Sequence, residues 1–92
     1  MHMNTLVGKI NALLLEEDVE GYIEFGAPID EYVSEAALIA EAIEALTREE
    51  RTEETIRAVV ALIWAKNFNL SNEDLALRAK SIGRIAEKLM LG

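Results

Sequence analysis

The run Glu16-Glu17-Asp18-Val19-Glu20-Gly21-Tyr22-Ile23-Glu24 places acids at its first, third and fifth positions, glycine at the sixth and an apolar residue at the eighth. That is the donor order of a calcium-binding loop between helices. The twelfth position decides the reading. A calcium loop supplies a bidentate Glu there and this chain has Ala27, while Glu16 and Glu20 stand where the tight loop prefers Asp or Asn. The run is therefore read as an acidic surface turn, and no metal or other cofactor is expected.

Other chemistries are weighed in the same way. A carboxylate metal centre in a helical bundle needs Glu-x-x-His on paired helices, and the one histidine is the near-terminal His2. Ser34, Ser71 and Ser81 lie in no recognisable nucleophile turn, no glycine-rich phosphate loop follows a strand, and there is no cysteine for a thiolate or disulfide. Asp30, Glu31, Glu35 and Glu41 would act as acid and base only if they converged in a cleft, and acids on a helix more often form its solvated face. We expect a protein that is not an enzyme.

The charge is lopsided. The 92 residues hold 17 acids and nine Lys or Arg, for a net charge of -8. Residues 1–47 contain ten of the acids and the single base Lys9, a balance of -9, whereas residues 48–92 come to +1. A single-sign patch steers encounter with an oppositely charged partner; its bland counterpart is solubility, with acids stabilising helix N-termini. Nucleic acid is not expected as a partner, because Arg48, Arg51, Arg57, Arg78, Lys80, Arg84 and Lys88 are interleaved with acids. The longest apolar run is the eight residues Ala58–Ala65, so no membrane span is expected, and without a basic, apolar leader the expected location is cytoplasmic. Met1 and His2 read as a cloning remnant before Met3.

Apolar residues recur at three and four throughout, which predicts four helices. The first spans about residues 4–17 on Leu6, Ile10, Leu13 and Leu14. The second, about 30–46, buries Val33, Ala36, Ala37, Ala40, Ile43 and Leu46 and starts after Pro28, with Asp30 and Glu31 at its positive end. Thr52 caps the third, which carries Ile56, Val59, Val60 and Ile63 inward and stops near Asn67–Asn69. Ser71-Asn72-Glu73-Asp74 has capping-box spacing and opens the fourth, with Leu75, Ala79, Ile82, Ala86 and Leu89 inward. Gly83 inside it costs roughly 1 kcal/mol against Ala, which suggests a close helix crossing. Residues 18–29 are expected as an irregular loop whose Tyr22, Ile23 and Phe25 cover the open end of the bundle. Trp64 and Phe68, four apart on one helix face, are read as core aromatics, with a shared dimer or partner surface as the alternative.

The run Gly26-Ala27-Pro28-Ile29-Asp30-Glu31-Tyr32, followed by Glu35-Ala36, Ile39 and Ile43, resembles the signature of the YugE-like family of small bacterial helical proteins. The resemblance covers about a fifth of the chain. Where the family loop opens with Trp-Asp-Pro, this chain has Glu17-Asp18-Val19. The resemblance implies a compact all-helical fold with Asp30, Glu31 and Tyr32 on a shared surface. The chain is also similar to small immunity-type proteins, which bind and neutralise a toxin.

Together these readings predict an all-α, single-domain four-helix bundle over residues 1–92, with an irregular loop between helices 1 and 2. The expected function is non-enzymatic protein binding, as an acidic inhibitor, immunity-like protein or adaptor. It would dock a basic partner through Glu20, Tyr22, Glu24, Asp30, Glu31, Tyr32 and Glu35. The alternative is a self-associating structural domain, a homo-oligomer, whose acidity serves solubility.

Overall fold

In the computed structural model, which describes residues 6–21, 23–26 and 31–91, every regular element is a helix. There are five where the sequence suggests four: α1 (Leu6–Glu17), α2 (Val33–Glu44), α3 (Glu53–Asn67), α4 (Asn72–Leu77) and α5 (Ala79–Leu91). The four long helices close a ring of contacts, α1 on α2, α2 on α3, α3 on α5 and α5 on α1, and the short α4 touches α3 and α5. The Cα radius of gyration is 12.6 Å, against about 13 Å for a folded chain of ~100 residues.

Two helix starts follow directly from side-chain chemistry. The Thr52 hydroxyl accepts from the Thr55 amide at 3.1 Å, with Glu53 and Glu54 in the first turn facing the positive end of the helix dipole. The Ser71 hydroxyl accepts from the Asp74 amide at 3.1 Å while the Asp74 carboxylate accepts from the Ser71 amide at 3.5 Å, which completes a capping box. The α2 helix begins later than the sequence suggests, at Val33, and Asp30 lies outside the described residues.

The expected fourth helix is broken at Arg78. Its φ of -101° and ψ of 0° depart from regular α-helix values, and its amide bonds to Leu75 at 3.0 Å before α5 resumes with Ile82 on the Arg78 carbonyl. The Arg78 side chain turns back so that its Nη1 donates to the Asp74 carbonyl at 2.6 Å, satisfying one of the carbonyls that the break leaves open.

The core consists of Ile10 and Leu14 from α1, Ala36, Ile39, Ala40 and Ile43 from α2, Ile56, Val60 and Trp64 from α3, and Ile82, Ile85 and Ala86 from α5, with Tyr32 just ahead of α2. The inward face of α2 is rotated from the expected one. Val33 and Ala37 are exposed, and the buried stripe runs Tyr32, Ala36, Ile39, Ala40, Ile43. Tyr32 takes the first place on it because its ring has more apolar surface to bury than Val33 does. Ala79, just past the break at Arg78, is exposed, while Ile82 and Ala86 are inward as expected and Ile85 joins them on the buried face of α5. No helix is long and apolar enough to cross a membrane among the described residues.

Candidate functional site

The loop after α1 is built around two carboxylates. Asp18 sits at φ +43°, a left-handed conformation that Asp tolerates better than most residues, and its amide still closes the last turn of α1 on Leu14 at 2.8 Å. Its Oδ1 accepts from the Tyr32 hydroxyl at 2.7 Å and from the Ile23 amide at 3.1 Å, and its Oδ2 accepts from the Glu24 amide at 3.0 Å. The Tyr32 oxygen in turn accepts the Glu20 amide at 3.2 Å. Burial works to raise the Asp18 pKa, but the bonds from Tyr32, Ile23 and Glu24 outweigh it and hold the carboxyl below its ordinary range.

Glu20 is the second anchor, with a side chain only 5% exposed. Arg78 grips it in a two-pronged pair, Nε on Oε2 and Nη2 on Oε1 at 2.9 Å, and the Trp64 indole N–H adds a bond to Oε2 at 2.6 Å. Burial again pushes the carboxyl up, while Arg78 and Trp64 together bring it below its ordinary range. Beneath this pair the ring of Trp64 packs against Tyr32 and Phe68, with centroids 5.6 Å and 4.9 Å apart. Trp64 has no exposed surface, so the alternative of a shared aromatic surface gives way to the core reading at that residue.

The charge asymmetry of the sequence is partly cancelled inside the fold. Arg84 on α5 donates to Glu17 at 2.9 Å, and Lys88 lies against Glu16 with Glu17 at 3.6 Å. The bond to Glu16 is the main reason that the Lys88 pKa is raised. The three bases Arg78, Arg84 and Lys88 therefore neutralise the three acids Glu20, Glu17 and Glu16. All three donor positions of the calcium-loop comparison, Glu16, Asp18 and Glu20, are thus bonded to groups of the protein itself.

Of the seven residues expected to meet a partner, three face inward. Tyr32 is fully buried, Glu20 is held by Arg78, and Glu35 is 9% exposed with its Oε2 accepting from Asn67 at 3.0 Å. Placing them on an exposed surface is corrected by this arrangement: the Tyr32 ring completes the core stripe and the two acids satisfy donors on α3 and at the α4–α5 break. Glu24 and Glu31 are exposed, while Tyr22 and Asp30 lie outside the described residues. Glu41 also faces solvent.

The loop holds one further departure from expectation. Ile23 packs against the core, but Phe25 is 89% exposed and does not close the end of the bundle. Gly21 and Gly26, at φ +75° and +100°, turn the backbone on either side, and the edge of the Phe25 ring lies over Gly21, 3.9 Å from where a Cβ would sit.

The outer face of α2, with Glu31 just ahead of it, carries exposed acids and no base. Glu31, Glu41 and Glu44 are exposed beside Val33, Ala37 and Leu38, and there is no Lys or Arg between Lys9 and Arg48. Among the described residues none of these three acids, nor Glu24, has a cationic partner. Comparison with known proteins places no neighbour beside the chain: no family model, no curated protein and no solved structure matches it.

Proposed function

We propose that the protein acts by binding, as an inhibitor or adaptor that docks a partner's basic surface on the outer face of α2 and the adjoining loop. The residues of that face are Glu31, Glu41 and Glu44, joined by Glu24, with Val33, Ala37 and Leu38 as apolar ground between them. One observation carries the reading. The fold pairs the acids at the end of α1 and in the loop with its own bases, yet the exposed acids of α2 have no base on their helix to offset them. Uncompensated like charge on one face costs stability and raises the rate of encounter with a positive partner.

A pull-down from the source organism's lysate, run at low and high salt with wild-type chain and the triple variant Glu31→Lys, Glu41→Lys, Glu44→Lys as baits, tests it. Surface substitutions of this kind leave the thermal melt within about 1 kcal/mol of wild type. The expected result is a basic protein retained by wild type at low salt, weakened at high salt and lost by the variant. Equal retention by both baits, or no retained protein at either salt, sinks the reading.

A further inference from the structure

The stretch from Asn72 to Leu91 is broken at a point where its own sequence favours one straight helix. Ser71 and Asp74 start it with a capping box, and Leu75-Ala76-Leu77-Arg78-Ala79-Lys80 are all strong helix formers. Leu75, Ala79, Ile82, Ala86 and Leu89 recur at four and three, the apolar stripe of a single helix. In a regular helix the Arg78 amide bonds to the Asp74 carbonyl. Here that carbonyl accepts Arg78 Nη1 at 2.6 Å, and the amide bonds to Leu75 at 3.0 Å. The Arg78 side chain thus stands where its own amide would stand in a straight helix.

The same guanidinium holds Glu20 through Nε and Nη2, so one group makes both the bend and the grip on the loop after α1. The short helix itself is lightly anchored. Leu75 is half-buried against the core, while Asn72, Glu73, Asp74, Ala76 and Leu77 are exposed. An element with so little buried surface rearranges at a lower free energy than the core does.

We propose that α4 and α5 form a two-state element, bent while Arg78 clamps Glu20 and a single helix over residues 72–91 once that clamp is released. The exchange keeps the Asp74 carbonyl satisfied, because the Arg78 amide replaces the side chain on it. It also gives the first amides of α5 partners among the carbonyls of α4. What it forfeits is the buried ion pair. The balance couples the loop that carries Glu20, with Glu24 and Phe25 exposed on it, to α4: a contact that draws the loop away straightens the helix, and a straight helix releases the loop. This device stands apart from the reading of the α2 face as a docking surface.

Residue-resolved NMR of wild type and two variants tests this. Glu20→Ala opens the clamp and leaves residue 78 unchanged. The double variant Glu20→Gln, Arg78→Ala keeps an acceptor for the Trp64 indole and leaves no unpaired charge, so it stays folded where the single variant melts. Arg and Ala differ little in helix propensity, so the second substitution does not straighten the helix by itself. In both variants the Cα chemical shifts of residues 77–79 reach full helical values. The gap in amide exchange rate between residues 79–81 and the buried Ile82 and Ile85 narrows by at least about tenfold. Two results overturn the proposal. Shifts and exchange that match wild type would make the bend independent of the clamp, and loss of helical shifts over residues 72–77 would mean that the clamp holds α4 folded and does not bend it.

Discussion

Across 58 residues of chain, the Arg78 guanidinium closes on the Glu20 carboxylate, and this pair ties the loop after α1 to the point where the last stretch of helix breaks in two. The Trp64 indole N–H completes the carboxylate's coordination from α3. Three parts of the chain distant in sequence thus share one buried charge. Glu20→Ala leaves that cation and indole donor without their acceptor, and the loss belongs to the class of broken buried ion pairs. With 22% of the Arg78 side chain still in contact with water, the cost falls at the low end of that class, about 3 kcal/mol. In a chain of this length that lowers the melting temperature by roughly 12 to 24 °C. A drop of only a few degrees on a thermal melt would show that the pair contributes little.

Tyr32→Phe isolates the hydroxyl from the ring. The ring keeps its place against Trp64, but Asp18 loses a donor at 2.7 Å and the Glu20 amide loses its acceptor at 3.2 Å. The expected cost is about 1 to 2 kcal/mol. Because those bonds hold the loop, hydrogen exchange should speed up most at the Glu20, Ile23 and Glu24 amides and least in α3. Uniform acceleration across all helices would mean that the loop does not open separately from the core.

Asp18 and Glu20 both have folded pKa values below their ordinary range, set by hydrogen bonds that outweigh burial. Below about pH 4 the unfolded chain therefore binds more protons than the folded one, so stability rises with pH in that interval. Their contribution is fully present above about pH 5 and is lost as pH falls through the folded values. Urea unfolding followed between about pH 7 and pH 3 should show this acid loss in wild type and a shallower one in Asp18→Asn and Glu20→Gln. Parallel curves for all three proteins would remove these two groups as its source.

Much of the fold was legible from local chemistry. The caps Thr52 and Ser71 with Asp74, the irregular segment after α1 and the all-helical class each depend on neighbouring residues, so their signals lie in short windows of sequence. The break at Arg78 does not. Leu75-Ala76-Leu77-Arg78-Ala79-Lys80 has no residue that disfavours a helix, and the helix yields there where Arg78 reaches Glu20 and the Asp74 carbonyl. The candidate surface was legible in its charge and less so in its residues. Acidic side chains near Pro28 read as exposed, but Glu20 and Glu35 turn inward to donors that lie 58 and 32 residues away, a distance over which spacing carries no information. The clue available was Trp64, whose buried N–H requires an acceptor and which has no acid within nine residues on its own helix.

Gly83 gives the simplest test of how tightly α5 is held. The sequence suggests that glycine permits a close crossing of helices, yet the atoms that a Cβ there would approach belong to the Arg57 guanidinium, at 3.6 to 3.8 Å. That is ordinary van der Waals contact with the end of a flexible side chain, so nothing at this position requires glycine. Gly83→Ala should therefore keep the gain in helix stability and the reduced freedom of the unfolded chain, about 0.5 to 1 kcal/mol together. The melting temperature rises by a few degrees, with the Glu20–Arg78 pair undisturbed. A fall in stability would mean that α3 and α5 approach more closely in solution than the Arg57 contact indicates, and that the crossing, not the side chain, sets the requirement at Gly83.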